Sequence, residues 1–183
     1  MMIRIPLLLI ALLSAHGFAS PAPTTKPTPV AAVAYITGYP PPGSKLTNGL
    51  ITGVWSDGTV ITSANREIGG PPYTSRKLDA ARLKQLAADL DALKFFTDEE
   101  INKQPYHYPP DASYTVVGAS FADKRQRIGL WRAPATQPAD ADHFVQVFMK
   151  ARELINKLGD SDAKGEPVDE IDKAIFNVGE KPR

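Results

Sequence analysis

Residues 50–63 read LITGVWSDGTVITS, and this stretch decides the fold because two apolar, largely β-branched runs flank an Asp57-Gly58 pair. An Asp-Gly pair readily adopts the positive φ angles of a tight turn, so the stretch predicts a β-hairpin. In the predicted register Val54 faces Ile61.

Two amphipathic helices are predicted around a second hairpin. Residues 78–93 place leucines at helical spacing behind Asp79, a favourable N-cap, and residues 140–158 repeat the pattern with phenylalanine, isoleucine and leucine. Between them, residues 114–132 alternate apolar and polar side chains, and a further strand is expected over residues 33–37. We therefore predict an α+β fold with a single antiparallel sheet of four to five strands and two amphipathic helices packed on one face.

The chain divides into four segments by composition. Residues 1–19 combine one positive charge, an apolar run and small residues before the expected cleavage point, which is the layout of a secretory signal peptide. Residues 20–32 are rich in proline and threonine and are interpreted as a linker. The α+β domain is predicted over residues 33–159, and residues 160–183 as a polar C-terminal tail with a possible short helix.

Charge and cysteine content narrow the classes of partner. The signal peptide contains Arg4 as its single charged residue, so cleavage leaves equal numbers of basic and acidic side chains, and we expect no nucleic-acid partner. The chain contains no cysteine, which excludes disulfides and a lipid-modified cysteine. The apolar run of the signal is shorter than the roughly 20 residues that cross a bilayer, so no transmembrane segment is expected in the mature chain. We expect a periplasmic or extracellular protein.

Sequence motifs for catalysis and metal binding are absent. No nucleophile elbow, zinc-binding helix, P-loop or dinucleotide fingerprint occurs, and His107 and His143 stand far apart in the mature sequence. Residues 160–165 (DSDAKG) resemble the start of a calcium loop, but Lys164 occupies the position of the fifth ligand. We therefore predict no catalytic residue, no metal site and no cofactor.

The loop at residues 105–110 reads PYHYPP and is the most suggestive surface. Tyrosines held between prolines offer large, stiff and amphipathic contact area, which suits a peptide or glycan site. We predict Tyr106, His107 and Tyr108 as ligand-binding residues. The alternative is a lid whose rings pack over the edge of the sheet.

Three stretches carry a resemblance to a known group. The pattern at residues 55–60, 78–96 and 111–116 resembles uncharacterised secreted bacterial domains built as strand, Asp-Gly-Thr-Val hairpin, helix ending in an aromatic pair, hairpin and helix. The resemblance implies an exported α+β domain and transfers no functional residue.

Export, neutral charge and missing catalytic motifs favour a binding function over an enzymatic one. We predict an exported non-enzymatic binding or interaction module whose ligand is a protein, peptide or glycan. The alternative is a hydrolase that uses scattered carboxylates with His107.

Overall fold

The computed structural model describes residues 26–38, 48–107, 109, 111–160 and 165–180. The predicted signal peptide, the first part of the predicted linker, most of the calcium-like stretch and Tyr108 lie outside these ranges.

The described residues form one mixed sheet of eight strands, together with three α-helices and a 3-10 helix. The strands are β1 Pro29–Ile36, β2 Gly49–Trp55, β3 Thr59–Ser63, β4 Tyr73–Lys77, β5 Tyr106–His107, β6 Tyr114–Phe121, β7 Lys124–Trp131 and β8 Glu166–Val168. The helices are α1 Ala80–Ala92, α2 Glu99–Lys103 and α3 His143–Lys157, and the 3-10 helix is Lys173–Asn177. The strand order is β5-β7-β6-β1-β2-β3-β4-β8.

The predicted α+β class is confirmed, but the predicted numbers of strands and helices are wrong. The prediction of four to five strands and two helices missed β4, β5, β8 and α2, which are short or almost entirely polar. Periodic apolar spacing is the signal that sequence interpretation uses, and these elements are too short or too polar to produce it. The sheet is also not purely antiparallel, because β5 runs parallel to β7.

The first hairpin forms at the predicted place with a different register. Val54 pairs with Val60 rather than with Ile61. The turn between the strands has three residues, and it ends at Gly58, whose φ of 81° favours glycine. This register places Val54 and Val60 together on one face of the sheet, and Ile61 on the other.

Helices α1 and α3 cover one face of the sheet, which we call the helix face. Asp79 caps α1 by accepting a hydrogen bond from the backbone N–H of Arg82 at 2.7 Å, and Asp142 caps α3 in the same way at Val145. The core beneath them joins residues of both helices to the central strands, with Leu90, Phe144, Phe148, Ile155, Val33, Val54 and Val117 among its buried members. Within the described ranges, no helix has both the length and the apolar character needed to cross a membrane.

The C-terminal segment covers part of the opposite face, which we call the second face. Ile175 and Val178 are buried there with Trp55 and Leu50. A Cβ atom at Gly118 would lie 2.2 Å from the carbonyl oxygen of Val178, so only glycine allows the segment to approach β6 this closely. Both faces of the sheet therefore carry an apolar cluster, although the sequence predicts cover on one face alone.

Candidate ligand-binding site

Strand β5 points Tyr106 and His107 to opposite faces of the sheet. In the parallel pairing with β7, Tyr106 lies opposite Gly129 and His107 opposite Leu130, a residue of the helix-face core. Because side chains alternate along a strand, Tyr106 belongs to the second face. The predicted site residues Tyr106 and His107 therefore do not face the same space, and the third, Tyr108, lies outside the described residues.

The ring of His107 stacks on a core residue of α3. Its centroid lies 3.8 Å from that of Phe144, with the two ring planes 4° apart. The imidazole is half-buried in this position. Among the residues that the structure describes, no group of three or more His, Asp or Glu side chains is arranged to hold a metal ion. The alternative function, a hydrolase that uses His107, stays a prediction.

Tyr106 lines a cavity of about 350 Å³ at the edge of the second face. Its walls come from three parts of the chain: α2 with the segment that follows it, strand β7, and the C-terminal segment. The other lining residues are Asn102, Pro105, Gln126, Arg127, Gly179 and Glu180.

Polar side chains in this cavity are arranged as two pairs. Gln126 donates an amide hydrogen bond to the side-chain oxygen of Asn102 at 3.0 Å, and Arg127 forms an ion pair with Glu180. A Cβ at Gly179 would lie 2.1 Å from the Gln126 carbonyl oxygen, so this glycine lets the C-terminal segment lie directly on β7. The cavity thus presents one aromatic ring and a balanced ion pair, while the side chain of Gln126 is buried and bonded to Asn102.

Trp131 extends the aromatic surface along the same face of β7. Alternation places Arg127, Gly129 and Trp131 on the second face, and the Trp131 side chain is 40 % exposed. The guanidinium of Arg132 stacks over its indole ring at 4.5 Å from the centroid. Trp55, which the sequence presents in a similar strand, is instead 6 % exposed in the second-face cluster. The sequence alone does not distinguish the exposure of these two tryptophans, because it depends on where the C-terminal segment covers the second face.

His143 and Asp98 form a separate polar contact between α3 and the N-terminus of α2. The imidazole Nε2 lies 2.6 Å from a carboxylate oxygen of Asp98, whose other oxygen caps α2. The hydrogen bond to Asp98 raises the pKa of His143 above its ordinary value, against a smaller opposing effect of burial. Burial is the largest single influence on Asp98 and raises its pKa, but the bonds from His143, Ile101 and Glu100 together outweigh it and lower the pKa. This contact links the first residue of α3 to the N-cap residue of α2, with the imidazole half-exposed.

No family model matches this chain, and neither a curated protein nor a solved structure is similar enough to it to count as a match.

Proposed function

We propose that this chain is an exported, non-enzymatic binding module, and that its ligand occupies the cavity beside Tyr106. The observation that carries the proposal is the cavity itself, whose volume of about 350 Å³ falls in the range of about 300 to 1,000 Å³ typical of ligand sites. Its aromatic wall and convergent polar groups provide orientation and specificity for a ligand.

The lining chemistry favours a glycan over a peptide. A sugar ring packs its C–H face on an aromatic ring such as Tyr106, while its hydroxyl groups exchange hydrogen bonds with amides and charged side chains. Arg127 supplies hydrogen-bond donors and Glu180 supplies acceptors. Because Arg127 and Glu180 neutralise each other, the cavity favours a neutral ligand. Trp131, next along the same face, would contact a further ring of an extended chain.

The proposed location of the protein is based on its sequence. The signal peptide predicted over residues 1–19 would direct the mature chain to the periplasm or the outside. The equal numbers of basic and acidic residues after cleavage suit a neutral glycan better than a polyanion.

A glycan array with matched variants tests this function. We expect Tyr106→Ala to weaken glycan binding by at least about tenfold, which corresponds to about 1.4 kcal/mol, while the melting temperature changes little. Tyr106→Phe keeps the ring and should retain most of the affinity. Ile68→Ala is the control, because Ile68 is a large apolar side chain that is 46 % exposed and lies between β3 and β4, outside the cavity.

Two outcomes would contradict the proposal. Binding that survives Tyr106→Ala unchanged would place the ligand elsewhere. A loss of stability as large as that of a core substitution would assign Tyr106 to packing, which is the lid interpretation. Retention of peptides in place of glycans, with the same dependence on Tyr106, would keep the binding function and change the ligand class.

A further inference from the structure

A second cavity, of about 460 Å³, lies between α3 and the segment that joins β7 to α3. Thr136 and Gln137 line it from the joining segment, and Met149, Arg152 and Asn156 line it from the helix. Helix α3 covers the helix face of the sheet. This cavity is therefore separate from the one beside Tyr106, which opens on the second face.

The residues that line this cavity carry two positive and two negative charges, but these four side chains are not all paired with one another. Glu153 and Lys157 line it and form an ion pair with each other at 2.6 Å, and Asp160 lines it and pairs with Arg66. The remaining charged lining residue is Arg152, which has no carboxylate partner within the described ranges. Among the described residues, Arg152 is therefore the charged lining side chain that has no ion-pair partner.

Arg152 is held in place by a neutral group. One of its terminal nitrogens donates to the backbone carbonyl of Pro134 at 2.7 Å, and the same nitrogen lies 4.0 Å from the sulfur of Met149. Burial lowers the pKa of Arg152, which is the direction expected for a cation that gives up water without gaining an anion. A guanidinium has five N–H donors in a rigid fork, so a carboxylate can still bind it through two parallel hydrogen bonds.

Asn156 is oriented by a chain of hydrogen bonds from the sheet. Arg66 donates to the hydroxyl of Thr52 at 3.1 Å, so the hydroxyl proton of Thr52 is directed to the side-chain oxygen of Asn156, 2.8 Å away. With its oxygen occupied in this way, Asn156 has its amide N–H groups to offer to a ligand.

We infer that this cavity binds a molecule that carries a single carboxylate, with the carboxylate on Arg152 and an apolar body against Met149. A carboxylate would give Arg152 the ion-pair partner that it lacks among the described residues, and the fork of Arg152 matches the geometry of a carboxylate. Thr136, Gln137 and Asn156 provide the neutral polar groups around it. The carboxylate can belong to a free small acid or to the C-terminus of a peptide.

Calorimetry with benzoate and benzamide tests the inference, because the two molecules share a shape and differ in charge. Benzoate should bind to the full chain, and benzamide should bind at least about tenfold more weakly. Arg152→Gln should weaken benzoate binding by a similar factor. The control is Lys150→Gln, which removes an exposed charge from the same helix outside the cavity and should leave binding unchanged.

A pair of N-acetylated dipeptides, one with a free C-terminus and one amidated, distinguishes the two sources of the carboxylate. Preference for the free C-terminus over both the amidated dipeptide and benzoate identifies a chain end as the ligand, and preference for benzoate identifies a small acid. Equal binding of benzoate and benzamide, or no binding of either dipeptide or of benzoate at millimolar concentration, overturns the inference.

Nuclear magnetic resonance of the unmodified chain keeps the test valid if Arg152→Gln does not fold. The side-chain Nε–Hε resonance of Arg152 should shift with benzoate and stay in place with benzamide. An unchanged resonance under saturating benzoate would overturn the inference. Benzoate binding at Arg152 does not depend on glycan binding at Tyr106. The two proposals can therefore be contradicted independently of each other.

Discussion

The two faces of the sheet are covered in different ways. On the helix face, α1 and α3 bring regularly spaced apolar side chains onto the strands, and the resulting core includes fully buried phenylalanines such as Phe148. On the second face, a smaller cluster forms around Trp55 and is closed by Ile175 from a 3-10 helix near the C-terminus. The apolar cover of the helix face comes from the local periodicity of two long helices. The cover of the second face comes from a C-terminal segment that lies more than a hundred residues after Trp55 in the chain. We expect the helix face to contribute most of the stability.

The largest effect is expected on the helix face. Phe148→Ala removes a fully buried ring from the centre of α3 and should lower the free energy of unfolding by about 3–5 kcal/mol. Urea denaturation followed by far-ultraviolet circular dichroism measures this loss. Lys150→Ala, two residues away and exposed, is the control and should change stability by less than about 0.5 kcal/mol. A small effect of Phe148→Ala would remove the distinction between the faces.

A smaller effect is expected on the second face. Ile175→Ala should cost about 2 kcal/mol, the lower end of the range for buried isoleucine, because the cluster is small and can close around the gap. The emission of Trp55 should also move to longer wavelength as water reaches the indole, measured in a Trp131→Phe background. Lys173→Ala, exposed in the same 3-10 helix, should do neither. A loss larger than that of Phe148→Ala would reverse the proposed order of the two faces.

The helix caps provide a matched pair across the faces. Asp79→Ala removes the cap of α1 and should lower the free energy of unfolding by about 1 kcal/mol. Asp172→Ala removes the corresponding bond to Ala174 at the 3-10 helix, together with the exposed ion pair to Lys26, and should still have a smaller effect, because the 3-10 helix has five residues. Thermal unfolding of both variants measures the difference. Equal losses would indicate that the two covers are equally cooperative.

The smallest effect concerns pH at the contact of α2 with α3. The pKa of His143 is raised in the fold, so its contribution to stability is complete below its ordinary value of 6.5 and is lost as the pH rises through the raised value. The pKa of Asp98 is lowered, so its contribution is present above 3.8 and is lost as the pH falls through the lowered value. The pair should therefore stabilise the fold most at pH values between the ordinary pKa values of Asp98 and His143.

Melting temperatures of the unmodified chain and of His143→Gln, measured from pH 5 to pH 9, check this window. We expect the difference between the two proteins to shrink as the pH rises, and to be small throughout because the imidazole is 50 % exposed. A difference that grows with rising pH would contradict the assignment of the pair.

Local signals explain how much of the fold could be predicted from sequence. The Asp57-Gly58 turn and the leucine spacing of α1 act over a few residues, so the first hairpin and both long helices are found near their predicted positions. Strand β8 reads Glu-Pro-Val and becomes a strand only by pairing with β4. No local sequence pattern predicts this pairing. The register of Val54 was wrong because the length of the turn, rather than its residue types, sets it.

The candidate site was predictable only in part. Tyr106 stands out in sequence because prolines surround it, but its separation from His107 follows from the pairing of β5 with β7. Glu180 and Arg127, which complete the cavity, are brought together by the return of the C-terminal segment. The Arg152 cavity gave no sequence signal, since an arginine in an amphipathic helix ordinarily lies in solvent.

The sheet ends in two very short strands, β5 with two residues and β8 with three. Within β8, Pro167 pairs with Thr74 and has no backbone N–H to offer outward. These edge strands offer few unpaired backbone groups to a strand from a second copy of the chain. The growth of ordered aggregates from the two edges of the sheet is therefore disfavoured.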